Sequence, residues 1–190
     1  MTTLPRHVRD AIAGKSAHVF IDPGVKQSAY AVSVNDVLRA CGLGDGACAL
    51  AQSYCRSARP SNVCVLIESP VAYAGQHAND LIALARIVGQ HEATFRALGC
   101  EVVTTTPAEW KQQQQKPPHH MRTLNAIEDR DEAVETEAVE HGCGRTWDDI
   151  YDYVKASATR LARGEPARYS RKDHNTLDAV AGVLTMAGRL

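Results

Sequence analysis

Apolar and polar positions change period several times along the chain, and each change predicts an element. Ala17 to Asp22 is a near-continuous apolar run, as a buried strand requires, and the Pro23-Gly24 breaker follows it. Gln27 to Asn35 alternates well enough to be its antiparallel partner, and Val37 to Leu43 adds a third strand to the meander. A glycine-rich turn, Gly42 to Gly46, leads into a short helix from Ala47 to Arg56, which Arg59-Pro60-Ser61-Asn62 stops. Val63 to Ile67 is wholly apolar, the pattern of a central strand covered on both faces. Leu81, Leu84, Ala85, Val88, His91, Phe95 and Leu98 then recur at helical steps, with Gly99 as the cap.

The second half reads less sharply. Glu101 to Thr105 is a strand, and Pro107 to Lys111 starts a short helix with proline at a tolerated position. Gln112 to His120 reads as a surface loop, with His119 and His120 exposed to solvent. Helices are expected from Met121 to Glu140 and from Trp147 to Ala162, with Gly142 and Gly144 between them. Gly164 to Lys172 is a basic linker before an apolar terminal helix, Asn175 to Gly188, with Asp173 as its N-cap. Met1 to Ser16 is expected to be a loosely attached extension, leaving residues 17–190 as one domain. Three meander strands before a βαβαβ-like part predict an α/β fold, a mixed sheet with helices on both faces.

Composition narrows the class without naming a partner. In 190 residues, 44% hydrophobic and 23% charged, there is room for one core-bearing domain. The net charge of -1 hides an acidic stretch from Glu128 to Glu140 and a basic one from Lys155 to Lys172. Aromatics at 5% are too few for base stacking to be a general mode of binding. The cysteines Cys41, Cys48, Cys55, Cys64, Cys100 and Cys143 form no CxxC pair, so free thiols in a reducing cytoplasm are expected. Neither a signal core nor an apolar run near the ~20 residues of a membrane span occurs in this sequence.

Candidate chemistry lies in three acids at the ends of apolar segments. Asp22 closes the first strand, Glu68 closes the run Val63 to Ile67, and Asp178 opens the last apolar helix. A charge at the edge of a buried element is costly unless a cation shares the site. Each acid also has a plainer reading: a turn former, a solvated strand end, a helix-dipole partner. Taken together they have the makings of a site for hard divalent ions, which prefer carboxylate oxygens. Two such ions ~3.5–4 Å apart can activate water and stabilise the leaving oxygen of a phosphoryl displacement. His174, four residues before Asp178, shares its helix face and is a candidate for water positioning or proton transfer.

These residues resemble the RuvC-type Holliday-junction resolvases of the ribonuclease H-like superfamily, particularly their phage-encoded relatives. The matching pieces are Ile21-Asp22-Pro23-Gly24 with Ala29-Tyr30-Ala31-Val32, and Leu66-Ile67-Glu68. Asn79 to Gly89, Pro107-Ala108-Glu109-Trp110-Lys111 and Leu177-Asp178-Ala179-Val180-Ala181 come next in order. The resemblance implies a ribonuclease H-like five-stranded sheet and a homodimeric crossover junction endodeoxyribonuclease, which nicks branched DNA with two Mg²⁺ or substituting Mn²⁺ ions. No organic cofactor and no membrane are implied, and the cytoplasm of a bacterium or phage-infected host is the implied location. It also implies catalytic roles for Asp22, Glu68, Asp178 and His174, with Asp173 a further metal ligand. Lys111, Lys116, Arg122, Arg171 and Lys172 take the places of DNA-contacting basic residues, and Tyr73 that of an aromatic wedge. The family often has an acid or histidine where this chain has Asn175, so the fourth ligand is open among Asp173, His174 and Asn175. An RNA or RNA–DNA hybrid nuclease, a non-catalytic DNA-binding protein and an actin-like ATPase are the competing readings; the last lacks the expected duplicated core.

Overall fold

The computed structural model describes residues 4–72, 77–111, 116–128, 131, 152, 154–156, 159–160, 162–163, 165 and 171–190, without the side chains of 116–117 and 171–174. Five strands form one sheet in the order β3-β2-β1-β4-β5: β1 Ala17–Asp22, β2 Ala29–Val34, β3 Val37–Leu43, β4 Val63–Glu68 and β5 Glu101–Thr105. β1, β2 and β3 pair antiparallel, whereas β4 joins β1 in parallel and β5 joins β4 in parallel. This is the ribonuclease H-like mixed sheet.

Strand periodicity divides the core into two layers. Phe20, Ala29, Ala31, Cys41, Cys64 and Leu66 point to one face. There they meet α1 (Arg6–Ile12), Trp110 of α4 (Pro107–Lys111), Leu124 of α5 (Lys116–Asn125) and the terminal helix α6 (Arg171–Met186). Val19, Ile21, Tyr30, Val32, Val65 and Ile67 point to the other face, against α2 (Gly44–Ser57) and α3 (Ala78–Ala97). Successive strand residues alternate between faces, so an unbroken apolar strand fills both layers. Helix α6 comes close enough to β1 that a Cβ at Gly182 would overlap the Phe20 ring. Cys41, Cys55, Cys64 and Cys100 are buried free thiols that pack as small core residues.

Several expectations are corrected. Helix α1 is not loosely attached: Leu4, Val8 and Ala11 are buried in the α6 layer. Residues 116–125 are helical rather than a loop, because Pro117 and Pro118 fall in the first turn of α5, where their missing N–H groups cost nothing. His119 and His120 are therefore carried inward and buried, not exposed. The terminal helix starts at Arg171, so Asp173 lies inside its first turn and is not the N-cap. The turn expected at Gly42 to Gly46 is shorter, since α2 already begins at Gly44.

The expected helix from Met121 to Glu140 ends at Asn125, and its remainder lies mostly outside the described residues, as does most of 147–162. Asp131, from the acidic stretch, is buried: it pairs with Arg189 at 2.6 Å and accepts the Leu38 N–H at 2.8 Å. Among the described residues no helix is long and apolar enough to cross a membrane.

Candidate active site

Ile21 stands opposite Ile67 in the β1–β4 ladder, so Asp22 and Glu68 leave the sheet side by side at its carboxyl edge. Both line a cleft of about 110 Å³ with Ser69, Pro70 and Pro107. In open α/β sheets, the carboxyl ends of parallel strands are the usual place for ligands. Five buried residues precede each acid on its strand, which leaves each backbone little room to shift.

Asp178 reaches the same edge from α6, which packs on β1 and β2. Its side chain is almost wholly buried. Lys111, the last residue of α4, joins the acids: its Nζ lies 3.5 Å from Glu68 Oε2 and 3.5 Å from Asp178 Oδ1. Burial pulls the Lys111 pKa down, but Asp178, Glu68 and Asp22 together outweigh it, and the ammonium is held above its ordinary value. Burial pushes Glu68 up, against Lys111 and with Asp178. One lysine thus feels three carboxylates that the sequence separates by 46 and 110 residues (68 − 22 and 178 − 68).

The other sequence-derived candidates divide by position. Lys111 is only 15% exposed and faces the acids rather than open solvent. Arg122 is exposed on α5. His174 lies one helical turn before Asp178 on α6, on the same stripe, and Asp173, Arg171 and Lys172 are in that first turn. The side chains of these four and of Lys116 lie outside the described residues, as does the whole of Tyr73. Asn175 is half-buried.

Sequence reading missed the groups that surround the acids. The Trp110 indole donates to Glu68 Oε2 at 2.7 Å, and His120 Nε2 lies 3.1 Å from Asp178 Oδ1. His119 packs edge-on to Trp110, with ring centroids 5.7 Å apart. Burial first, then the neighbouring His120, lowers the His119 pKa to about 4. The signal that could have found the two histidines is the Pro117-Pro118 pair, which marks a helix start and so gives the next residues an inward face.

The residues present suit a hard divalent ion. Every acid here offers carboxylate oxygens, and a unit positive charge is already accommodated at 3.5 Å from both Glu68 and Asp178. Among the described residues no three His, Cys, Asp or Glu side chains are close enough to form a ready ion cage. Lys111 supplies the cationic charge between two of these acids.

No family model matches the chain, and neither does any curated protein. Among solved structures it is similar to T. thermophilus RuvC in complex with Holliday junction substrate: 16% identity, 89% of this chain, 91% of that one, TM-score 0.45. A second Thermus thermophilus RuvC structure is 17% identical over 89% of this chain and 92% of its own, with a TM-score of 0.37. A mutant nuclease domain of the large terminase subunit gp2 of bacterial virus Sf6, with manganese, is 11% identical. That match covers 97% of this chain and 99% of the domain, with a TM-score of 0.37.

Proposed function

We propose that this protein is a metal-dependent, structure-selective endonuclease that nicks phosphodiesters in four-way or other branched DNA. The observation that carries the reading is the meeting of Asp22, Glu68 and Asp178 around Lys111 at the carboxyl edge of a ribonuclease H-like sheet. A polyanion binder without catalysis has no use for three acids in one place.

Asp22, Glu68 and Asp178, with His174 or Asp173 from the preceding turn of α6, would hold Mg²⁺ or Mn²⁺. Two such ions, when bound, supply an activated water and neutralise charge at the scissile phosphate. Lys111 balances the acids before the ion arrives, and its ammonium is then available to a phosphate oxygen. Arg122, Arg171, Lys172 and Lys116 take phosphates along the flanking arms, which makes binding fall steeply with salt. Tyr73, five residues beyond Glu68, takes the wedge position at the branch.

A homodimer places two such sites around a two-fold axis, matching the pseudo-symmetry of a junction. Helix α3 supports that arrangement: over twenty residues only Val88 and Phe95 are buried, and Ile82 is 52% exposed. Among the described residues, nothing beyond its chain neighbours and the nearby backbone of the same helix stands within 4 Å of where a Cβ at Gly89 would lie. The test is to incubate the protein with labelled four-way junction, duplex and RNA–DNA hybrid, in Mg²⁺, Mn²⁺ or EDTA. Nicking of the junction alone, lost in EDTA, is the expected result. Preferential cutting of the hybrid would replace this reading with a hybrid nuclease of the same fold.

A further inference from the structure

Two buried rings hold the acids from the core side. The Trp110 N–H donates to Glu68 Oε2 across 2.7 Å, and His120 Nε2 meets Asp178 Oδ1 across 3.1 Å. An ionised carboxylate only accepts, so in the Nε2–H tautomer His120 donates to Asp178. Both rings belong to one row of tilted and edge-on ring contacts. Centroids are 4.8 Å apart from Phe20 to Trp110, 5.7 Å from Trp110 to His119 and 5.9 Å from His119 to His120. Trp110 and His120 are fully buried, so neither ring has open space in which to turn.

The terminal torsion of a carboxylate is broad, and an unassisted Glu or Asp samples many orientations. Here Lys111 and Trp110 both address Glu68 Oε2, while Lys111 and His120 both address Asp178 Oδ1. When an ion displaces Lys111, the Trp110 and His120 rings still hold these two carboxylates. The indole does so without adding positive charge that would oppose the ion.

We propose that Trp110 and His120 are positioning residues that hold the Glu68 and Asp178 carboxylates at one mutual angle, through the row of ring contacts they share. This rests on the nuclease reading above. It assigns the α4–α5 segment a role beyond packing, and it predicts that losing either N–H loosens ion binding while leaving DNA binding intact.

The test compares wild type with Trp110→Phe, His120→Leu and His120→Gln; glutamine puts an amide N–H near the Nε2 position. Mn²⁺ affinity is measured by calorimetry without DNA, junction affinity in EDTA, kcat and KM separately, and folding by thermal melting. Trp110→Phe and His120→Leu are expected to weaken Mn²⁺ binding about tenfold or more, the usual effect of losing a partner behind a metal ligand. They are expected to lower kcat, with KM and junction affinity unchanged. His120→Gln is expected to recover most of the loss.

Folded variants that bind Mn²⁺ as wild type does would overturn the inference and leave the nuclease reading standing. A wild-type protein that neither binds Mn²⁺ nor nicks the junction would overturn both. If Trp110→Phe does not fold, the His120→Leu and His120→Gln pair decides alone: equal Mn²⁺ affinities for the two would contradict the proposal.

Discussion

Lys111 Nζ lies 3.5 Å from Asp178 Oδ1, deep enough that lysine is 15% and aspartate 3% exposed. A carboxylate this buried is tolerated because the ammonium is beside it. Removing one partner of such a pair leaves the other charge uncompensated, at a typical cost of about 3–5 kcal/mol.

Lys111→Met is therefore expected to destabilise the protein by about that amount in EDTA at neutral pH. Mg²⁺ or Mn²⁺ should return much of the loss, because the ion then supplies the missing charge. Urea unfolding of wild type and variant, with and without ion, measures both effects. A variant as stable as wild type in EDTA would mean that Lys111 does not balance the acids.

His119 gives stability a pH dependence of known sign. Its folded pKa of about 4 lies below the ordinary 6.5, so between those values the unfolded chain binds more protons. Its contribution is complete above pH 6.5 and is lost as the pH falls toward 4, by on the order of 3 kcal/mol. His18 and His91, both lowered by burial, act in the same direction. His119→Phe should flatten the loss over this window in melts taken from pH 7 to 4.

Gly182 marks the closest approach of α6 to the sheet. Alanine there drives its methyl into Phe20, which also carries the Trp110 ring. Overpacking of this kind costs about 1–3 kcal/mol, and the upper end is expected here. Since α6 also delivers Asp178, cleavage should fall along with stability. Chemical denaturation paired with a nicking assay would show both.

Those pH and packing effects come from residues whose burial or close approach sequence reading misplaced or passed over, and the reason is physical. β1, β3, β4 and β5 were legible to within a residue because each is rich in apolar or β-branched residues and is closed by an acid, a glycine or a proline: Asp22, Gly44, Glu68 and Pro107. Asp22, Glu68 and Asp178 stood out as charges at the edges of apolar segments. The inward face of α5 did not, because His119, His120 and Thr123 bury polar side chains, which hydrophobic periodicity cannot register. Asp131 was hidden in the same way: amid Glu128 to Glu140 it reads as surface charge, yet it binds Arg189 from 58 residues away. Contacts of that range are visible only once the chain is folded.

The most direct measurement is junction nicking by the near-isosteric variants Asp22→Asn, Glu68→Gln and Asp178→Asn, each assayed in Mg²⁺ beside its affinity for the same junction in EDTA. Every one of them should bind the junction at least as well as wild type and leave its strands intact. Undiminished cutting by any folded member of the three would contradict a shared carboxylate site.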